Sequence, residues 1–415
     1  MLSFFIINII LIFLVLKKTN KLNPLYVWTI LQITMYSGTF FITNKSNDIE
    51  SYHFYLYSLF ILCSNITAIF YSISKKRKFH FTIRDTDVRF LKNTFYISII
   101  AVLFYFYLVG ENLFVSSIKN IIITNDALTD VKDRRFAFYS AGKYVAPGFF
   151  NLFKNFLLPA SFFSLILFDM TKRIKLSFLR KTIYWCIFLI LILGTGQRGA
   201  FIMSFVFAFA IAILLMDEKM KNNFFIKLST IATLFFTVST IFLARNTDVT
   251  FSDFNYFSVL SESIINRFLF VNQYSGLDTF KYITENEVIQ WGYDWLMMLD
   301  QFMPGRSSYL PLDNKSFNYV YGNFRGTNPP SLMVSSYYNF GVIGVILTPV
   351  FFVIICNKVF KYFQENSNNY IDYLVYILIY FALGTWVNSG IDYPIRNGIL
   401  LVPVIIFVKK FKFKY

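Results

Sequence analysis

The sequence predicts an all-α polytopic membrane protein with about 11 transmembrane helices. Its 415 residues are 56% hydrophobic and only 15% charged, whereas soluble domains are about 25% charged. Apolar runs alternate with short basic segments, as spanning helices alternate with loops. Two long polar segments, 111–147 and 245–330, interrupt this alternation on one side. We therefore expect a single integral membrane domain over 1–415 with two long loops on its outer face.

Each predicted span is an apolar run bounded by polar residues. In chain order the spans are 3–16, 24–43, 54–73, 93–110, 148–168, 181–194, 200–216, 225–244, 331–355, 373–389 and 395–408. The first run has no basic segment before it and no small-residue cleavage site after it, so we interpret it as a membrane anchor. Gly341 and Gly344, within the ninth span, are interpreted as points of close helix packing.

The basic residues are distributed asymmetrically across these loops. Most of them lie in the segments 17–21, 75–92, 172–181, 219–227, 358–361 and 409–414. The positive-inside rule places those segments in the cytoplasm, which puts the N-terminus outside and the C-terminus inside. The net charge of +16 then reflects topology and anionic lipid headgroups, and no nucleic-acid partner is predicted.

Cysteine and histidine offer little chemistry. Cys63, Cys186 and Cys356 all fall within predicted spans, so no disulfide framework is expected in the outer loops. The only two histidines, His53 and His80, fall on opposite sides of the membrane. A histidine-based metal site is therefore not expected.

The second long loop is expected to be partly helical. Apolar residues from Phe257 to Leu269 recur at helical spacing, with Glu262 and Arg267 on the opposite face, which predicts an amphipathic helix. In a second candidate helix, 291–303, the side chains of Trp291 and Trp295 share one stripe with Met298 and Phe302. That stripe fits an interfacial aromatic anchor or a sugar-stacking platform.

Three predicted helix N-termini on the outer face carry an arginine: Arg198, Arg325 and Arg396. After Arg325, Asn328 is expected to cap the helix. A cation at a helix N-terminus is disfavoured by about 0.3–1 kcal/mol. A bound phosphate would account for all three, whereas the alternative is that each side chain reaches the lipid headgroups. Arg267 and Arg306, elsewhere in the second loop, are further candidates for binding the same anion.

Two segments resemble a known family. The turn Gly194-Thr195-Gly196-Gln197-Arg198-Gly199-Ala200 resembles the T-G-x-R-G-A turn of bacterial O-antigen and capsule repeat-unit polymerases of the Wzy type. The run Thr327-Asn328-Pro329-Pro330-Ser331, followed by Tyr337 to Gly344, is similar to that family's entry into a late span. The family's pairing of outer-loop arginines with a glycine ten or eleven positions later is not found after Arg267, Arg306 or Arg325.

The resemblance implies a glycosyltransferase with a GT-C-like bundle in the bacterial inner membrane. Its substrates would be undecaprenyl-pyrophosphate-linked glycans, polymerised at the outer face into O-antigen or capsular polysaccharide without a cofactor or metal. Membrane lipids and a chain-length regulator would be its partners. An O-antigen ligase and a transporter or flippase of lipid-linked sugars are the alternatives.

Within that reaction the arginines would bind pyrophosphate, and a carboxylate would serve as general base because the long loops lack histidine. Glu262 and Asp392 are the candidate bases, although each also fits a helix cap or an ion-pair partner. Trp291, Trp295 and Tyr338 are the candidate sugar contacts, and Tyr338 also fits a membrane anchor.

Overall fold

The computed structural model describes residues 1–71, 84–116, 152–172, 174–194, 266–300, 309–323, 327–367, 369–399 and 401–410, with a few residues between 204 and 230. Every regular element in these residues is helical. The chain divides into two compact units. The first unit comprises Met1–Lys78, Phe257–Asn366 and Leu378–Tyr415, and the second Phe79–Tyr256 and Ser367–Ile377.

The helices are α1 (Leu2–Lys18), α2 (Pro24–Ile42), α3 (Asp48–Tyr71), α4 (Asp85–Val109), α5 (Leu158–Met170), α6 (Phe178–Leu193), α7 (Asn272–Asn286), α8 (Tyr293–Asp300), α9 (Leu312–Tyr321), α10 (Leu332–Asn366), α11 (Tyr370–Gly384), α12 (Asp392–Pro394) and α13 (Leu401–Lys410). Single turns of π-helix precede α5, α7 and α13. The helices α7, α8 and α9 lie within 245–330, so the prediction of a partly helical second loop is confirmed.

Six helices among the described residues are long and apolar enough to cross a membrane. They are Pro24–Ile42, Asp48–Tyr71, Asp85–Val109, Phe153–Met170, Leu332–Asn366 and Tyr370–Asn388. Each overlaps a predicted span, and the described residues confirm the all-helical fold. The helices at two further predicted spans, α1 and α6, are 17 and 16 residues long. The total of about 11 spans and the GT-C-like architecture stay predictions.

Helix α3 begins earlier than predicted. The sequence places 44–53 in a loop, but α3 starts at Asp48 and includes the polar residues Glu50 and His53. The Asn47 side chain accepts the Ile49 N–H at 3.0 Å and so caps the helix. Hydropathy alone misses these first turns because it treats Glu50 as an isolated charge. In the structure Glu50 pairs with Lys281, which is far away in the sequence.

Aromatic packing forms the core of the first unit. The rings of Trp28 and Phe352 lie 4.7 Å apart, and those of Tyr36 and Phe54 lie 5.6 Å apart. The buried Asn8 amide donates to the Tyr36 hydroxyl at 3.2 Å, which ties α1 to α2. Large buried rings contribute much of the packing energy of a helical bundle.

The second unit has an aromatic core of its own. The Phe162 and Phe188 rings stack at 4.3 Å, joining α5 to α6, and Phe95 of α4 lies 6.1 Å from Phe162. The Leu113 N–H donates to the Gly194 carbonyl at 2.8 Å, so the residues after α4 and after α6 lie at the same end of this unit. The sequence also predicts that the loops 111–147 and 195–199 lie on one side, the outer face.

One end of the first unit carries the described part of the second long loop. Lys281 of α7 pairs with Glu50 of α3 at 2.8 Å, so the start of α3 and α7 lie together. An added Cβ on Gly390 would lie 3.0 Å from the Ser335 Oγ, which places the turn before α12 beside the start of α10. The segments 44–53, 245–330 and 390–394 were predicted to share a side, and these contacts agree with that prediction.

The opposite end of the first unit carries basic residues. The Asn23 side chain, which caps α2, donates to the Asn357 Oδ1 at 2.7 Å. The lysines of 17–21 and 358–361 flank these two asparagines in the sequence. The two segments were predicted on sequence grounds to lie on the same side.

Helix α10 is broken at Gly341. This residue has φ 61° and ψ −149°, a conformation essentially restricted to glycine. The break separates a short helix of about 13 Å, Leu332–Phe340, from a longer helix, Val342–Asn366, of about 37 Å. The sequence analysis interpreted Gly341 as a point of close packing, and a Cβ added there would lie 2.9 Å from the Ile289 Cδ1. The break in the helix at this residue was not predicted.

Candidate functional site

The carboxylate of Glu287, just after α7, is surrounded by donors. The Tyr282 hydroxyl donates to its Oε1 at 2.6 Å, and the Tyr338 hydroxyl donates to its Oε2 at 3.1 Å. The Lys315 Nζ lies 3.0 Å from Oε1 and 3.3 Å from the Tyr338 hydroxyl oxygen. The Glu287 and Lys315 side chains are 16% and 24% exposed, so both remain partly accessible to solvent.

A second carboxylate, Asp294, is fully buried in the first turn of α8. The Tyr309 hydroxyl donates to its Oδ1 at 2.6 Å, and the Asn339 amide donates to its Oδ2 at 3.3 Å. The Asn339 Oδ1 accepts the Trp295 N–H at 3.1 Å, so a side chain of α10 caps the start of α8. The Trp295 indole donates to the Ser335 Oγ at 2.9 Å.

Lys315 joins the two carboxylates. Its Nζ lies 5.8 Å from the centre of the Tyr309 ring and 5.9 Å from the centre of the Tyr338 ring, within the range of a cation–π contact. The joined groups are called here the polar cluster, which comprises Glu287, Asp294, Tyr309, Lys315, Tyr338 and Asn339.

The break in α10 holds the cluster in place. Interruption of the helix at Gly341 frees carbonyl groups in the preceding turn. The Gln290 N–H donates to the Tyr338 carbonyl at 2.9 Å, and the Gly292 N–H donates to the Asn339 carbonyl at 3.1 Å. The backbone before α8 is therefore attached to the two residues that supply side chains to the cluster.

The environment shifts the two carboxyl groups in opposite directions. Burial raises the pKa of Glu287, but hydrogen bonds from Tyr282, Lys315 and Tyr338 outweigh it and lower the pKa below its ordinary value. Burial raises the pKa of Asp294, against the hydrogen bonds that it accepts. Pairs of carboxyl groups with diverging pKa values are typical of sites that handle protons.

Asp392, a predicted general base, is buried close to this region. A Cβ on Gly390 would lie 3.3 Å from the Asp392 Oδ1 and 3.3 Å from the Met298 sulfur. The charge of Asp392 also contributes to the raised pKa of Asp294. The structure therefore brings Asp392 near α8 and the start of α10, but buries it, with 3% exposure.

The three predicted sugar contacts have different surroundings. Trp291 precedes α8, has φ 51° and is 74% exposed, so it does not share a helical stripe with the buried Met298. That predicted stripe is wrong because the helix starts only at Tyr293. Trp295 is half-buried, and Tyr338 is fully buried with its hydroxyl in the polar cluster.

The predicted anion-binding residues are described only in part. Arg198, Arg306, Arg325 and the candidate base Glu262 lie outside the described residues. The backbones of Arg267 and Arg396 lie in the π-helical turns before α7 and α13. The amphipathic helix predicted for 257–269 is described only from residue 266 onward.

The predicted cap at Asn328 is also wrong. Helix α10 starts at Leu332, and the Ser331 Oγ accepts the Val334 N–H at 3.3 Å, so Ser331 is the cap. The Asn328 amide instead donates to the Ser316 Oγ at 3.0 Å and joins α9 to the start of α10. The Asn328 side chain therefore contacts α9 instead of capping α10.

Sequence reasoning did not single out Glu287, Asp294, Tyr309 or Lys315. Their spacing follows no motif, and as single residues in a polar loop they look like ordinary surface groups. The described residues contain no group of three or more His, Cys, Asp or Glu side chains that could hold a metal ion. No protein-family model matches the chain, and no curated protein or solved structure matches it either.

Proposed function

We propose that this protein is a membrane glycosyltransferase that polymerises undecaprenyl-pyrophosphate-linked repeat units into O-antigen or capsular polysaccharide. The observation that carries the proposal is the polar cluster. It combines an accessible carboxylate and lysine at the end of membrane-length helices. A lipid-linked sugar presents its pyrophosphate and sugar at this level of a membrane, while its polyprenyl chain stays among the lipids.

The reaction needs two kinds of assistance. The bond between the sugar's anomeric carbon and the pyrophosphate breaks, and the acceptor hydroxyl forms the new glycosidic bond while losing its proton. Cations stabilise the departing pyrophosphate, a role that we assign to Lys315 together with the predicted arginines. These arginines are Arg198, Arg267, Arg306, Arg325 and Arg396.

A carboxylate is proposed to receive the hydroxyl proton. Glu287 is the accessible candidate in the polar cluster, and its tyrosine and lysine partners hold it in a fixed orientation. Asp392 and Glu262 remain the candidates that were proposed from the sequence. Trp291 and Trp295, which lie close to Glu287 in the sequence, are proposed sugar contacts.

The basic residues near Asn23 and Asn357 support an orientation. We propose that their end of the first unit faces the cytoplasm, because cytoplasmic loops are rich in lysine and arginine. The polar cluster would then face the outside of the bacterial inner membrane. The N-terminus would also lie outside and the C-terminus inside.

A transporter of lipid-linked sugars is the second candidate. Gln32 and His53 are buried within membrane-length helices, and polar residues at such positions are frequent along transport pathways. The O-antigen ligase receives no support from the described residues, and 245–330 contains no histidine, which that family is expected to carry there.

The test is deletion of the gene in its host, with the surface glycan separated by size. A polymerase predicts single repeat units on the surface carrier without the longer ladder. Polymer left on the lipid carrier would indicate a ligase, and loss of all outward repeat units a transporter. An unchanged glycan would refute the proposal.

Complementation then tests the site. Lys315→Met should lose the ladder while the protein remains in the membrane. Lys281→Met is the matched control, because Lys281 forms a similar ion pair with Glu50 at 2.8 Å but lies outside the polar cluster. A full ladder with Lys315→Met, or an equal loss with both variants, would remove the cluster from the proposed active site.

A further inference from the structure

An exposed apolar surface lies beside the polar cluster, in a segment that is not one of the membrane-length helices. Val288, Trp291 and Leu296 are 76%, 74% and 66% exposed, and Tyr293 is 52% exposed. Together with Ile289 they line one short segment before and within α8, which we call the elbow (Val288–Leu296). Exposed apolar groups at this density mark an interaction surface.

The elbow is continuous with the exposed face of α10. The Ile289 Cδ1 lies 2.9 Å from the position of a Cβ added to Gly341. The next residues of α10, Val342 and Ile343, are 40% and 59% exposed. In a membrane-length apolar helix, such exposed apolar residues face lipid.

The length of α10 sets the depth of the elbow. From Val342 to Lys358 the helix rises about 24 Å, at about 1.5 Å per residue. The hydrocarbon core of a bilayer is about 30 Å thick. If Lys358 marks one boundary, the core extends about 6 Å beyond Val342, past the break at Gly341. The backbone attached to that break then lies among acyl chains.

Five of the nine backbone N–H groups of the elbow, those of Gln290, Gly292, Tyr293, Trp295 and Leu296, are hydrogen-bonded within the protein. Irregular backbone in hydrocarbon must have its hydrogen-bonding groups paired. The N–H groups of Gln290 and Gly292 donate to α10 carbonyls, and that of Tyr293 donates to the Gln290 carbonyl at 3.0 Å. The Gln290 side chain donates to the Val288 carbonyl at 2.8 Å. The N–H groups of Trp295 and Leu296 are also bonded.

From this geometry we infer that the elbow is inserted into one leaflet of the bilayer, with lipid acyl chains as its partner. The segment contains no lysine or arginine, and its one acidic residue, Asp294, is fully buried. Its surface therefore matches hydrocarbon better than anionic headgroups. Tryptophan and tyrosine are also the residues enriched at membrane interfaces. The inference replaces the proposed sugar contact at Trp291, because a ring among acyl chains does not stack on a sugar. The roles proposed for Glu287 and Lys315 do not depend on it.

Depth-dependent quenching tests this inference. Single-cysteine variants Val288→Cys, Trp291→Cys and Leu296→Cys, in a background without the native cysteines, would carry an environment-sensitive fluorophore in phosphatidylcholine nanodiscs. Ile343→Cys is the lipid-facing control, and Tyr321→Cys, 58% exposed on α9, is the control for a position facing water. Doxyl-labelled lipids should quench the three elbow positions as strongly as Ile343→Cys and leave Tyr321→Cys bright.

Two outcomes would overturn the inference. Elbow fluorophores that behave like the one at Tyr321→Cys would place the segment in water. Blue-shifted emission without quenching would mean that a second copy or another protein covers the surface. If removal of the native cysteines impairs folding, brominated lipids can be used with the native chain. Tryptophan quenching should then be smaller in Trp291→Phe than in wild type, and equal quenching would overturn the inference.

Discussion

Substitution of Gly341 by alanine tests the break in α10 directly. The residue has φ 61° and ψ −149°, so a side chain is strained there whatever space surrounds it. An added Cβ would also lie 2.9 Å from the Ile289 Cδ1. The two effects are separable, because one belongs to the backbone and the other to a neighbouring side chain.

The expected loss of stability comes mainly from the backbone. A residue held in this region costs on the order of 1–3 kcal/mol. The contact with Ile289 adds less, because its Cδ1 is the end of a flexible chain that is 38% exposed and can move aside. We therefore expect Gly341→Ala to lower the free energy of unfolding by about 1–3 kcal/mol. Adding Ile289→Val, which removes the Cδ1, should restore only a small part.

Denaturant titration in mixed micelles would measure these free energies. Gly322→Asn is the matched control, because Gly322 also has positive φ, at 67°, but has nothing within 4 Å of an added Cβ. Its backbone is in the left-handed helical region, which asparagine tolerates. This variant should be close to wild type in stability.

A Gly341→Ala protein as stable as wild type would refute the reasoning, because α10 would then continue through residue 341. Full rescue by Ile289→Val would show that crowding, and not backbone strain, accounts for the loss. In the first case the hydrogen bonds from Gln290 and Gly292 to α10 would also be in doubt.

Four further predictions concern polar side chains of the first unit. A double-mutant cycle of Glu287→Gln and Lys315→Met should give a coupling free energy of about 0.5–3 kcal/mol, because the two side chains are in direct contact. Because the pKa of Glu287 is lowered on folding, its stabilising contribution is present above about pH 4.3 and is lost as the pH falls through the folded-state pKa. In Glu287→Gln that part of the acid dependence should disappear from the unfolding curves. Asn339→Ala removes a donor to buried Asp294 and the cap of α8, so it should cost about 2 kcal/mol or more in unfolding free energy. His53→Phe should keep or raise the thermal unfolding temperature, because neither ring nitrogen has a hydrogen-bond partner in the described part of the chain.

Each of these predictions has an opposite outcome. Additive effects in the cycle would mean that the ion pair contributes nothing, and an unchanged acid dependence would assign it to other groups. An Asn339→Ala protein of wild-type stability would contradict the cap on α8. A clear loss of stability in His53→Phe would show that the imidazole has a hydrogen-bond partner in the protein.

The spans were predictable where local composition decides the structure. Runs such as 24–43 and 331–355 are apolar enough to be recognised one residue at a time, and α2 and α10 start within one residue of them. The early start of α3 was not predictable, because Glu50 is paired with Lys281, which lies 231 positions away in the chain. Local hydropathy contains no information on such a pair.

The polar cluster was predictable only in part. Tyr338 was identified as a candidate contact, and the structure places its hydroxyl beside Glu287 and Lys315. Glu287 and Lys315 were not identified, because their partners are distant in the sequence. Tyr282 and Tyr309 lie in separate parts of the predicted loop 245–330, and Tyr338 lies in the predicted span 331–355. Gly341 was noticed as a glycine, but no local sequence pattern encodes its positive φ.

The cap that Asn339 supplies to α8 has a consequence for the order of folding. The N–H groups of Gly292 and Trp295 bond to a residue that lies more than forty positions later in the chain. During synthesis, α8 therefore emerges well before its cap does. Residues 287–300 should become resistant to proteolysis only after α10 has entered the membrane. A nascent chain arrested before residue 332 should remain cleavable in this segment.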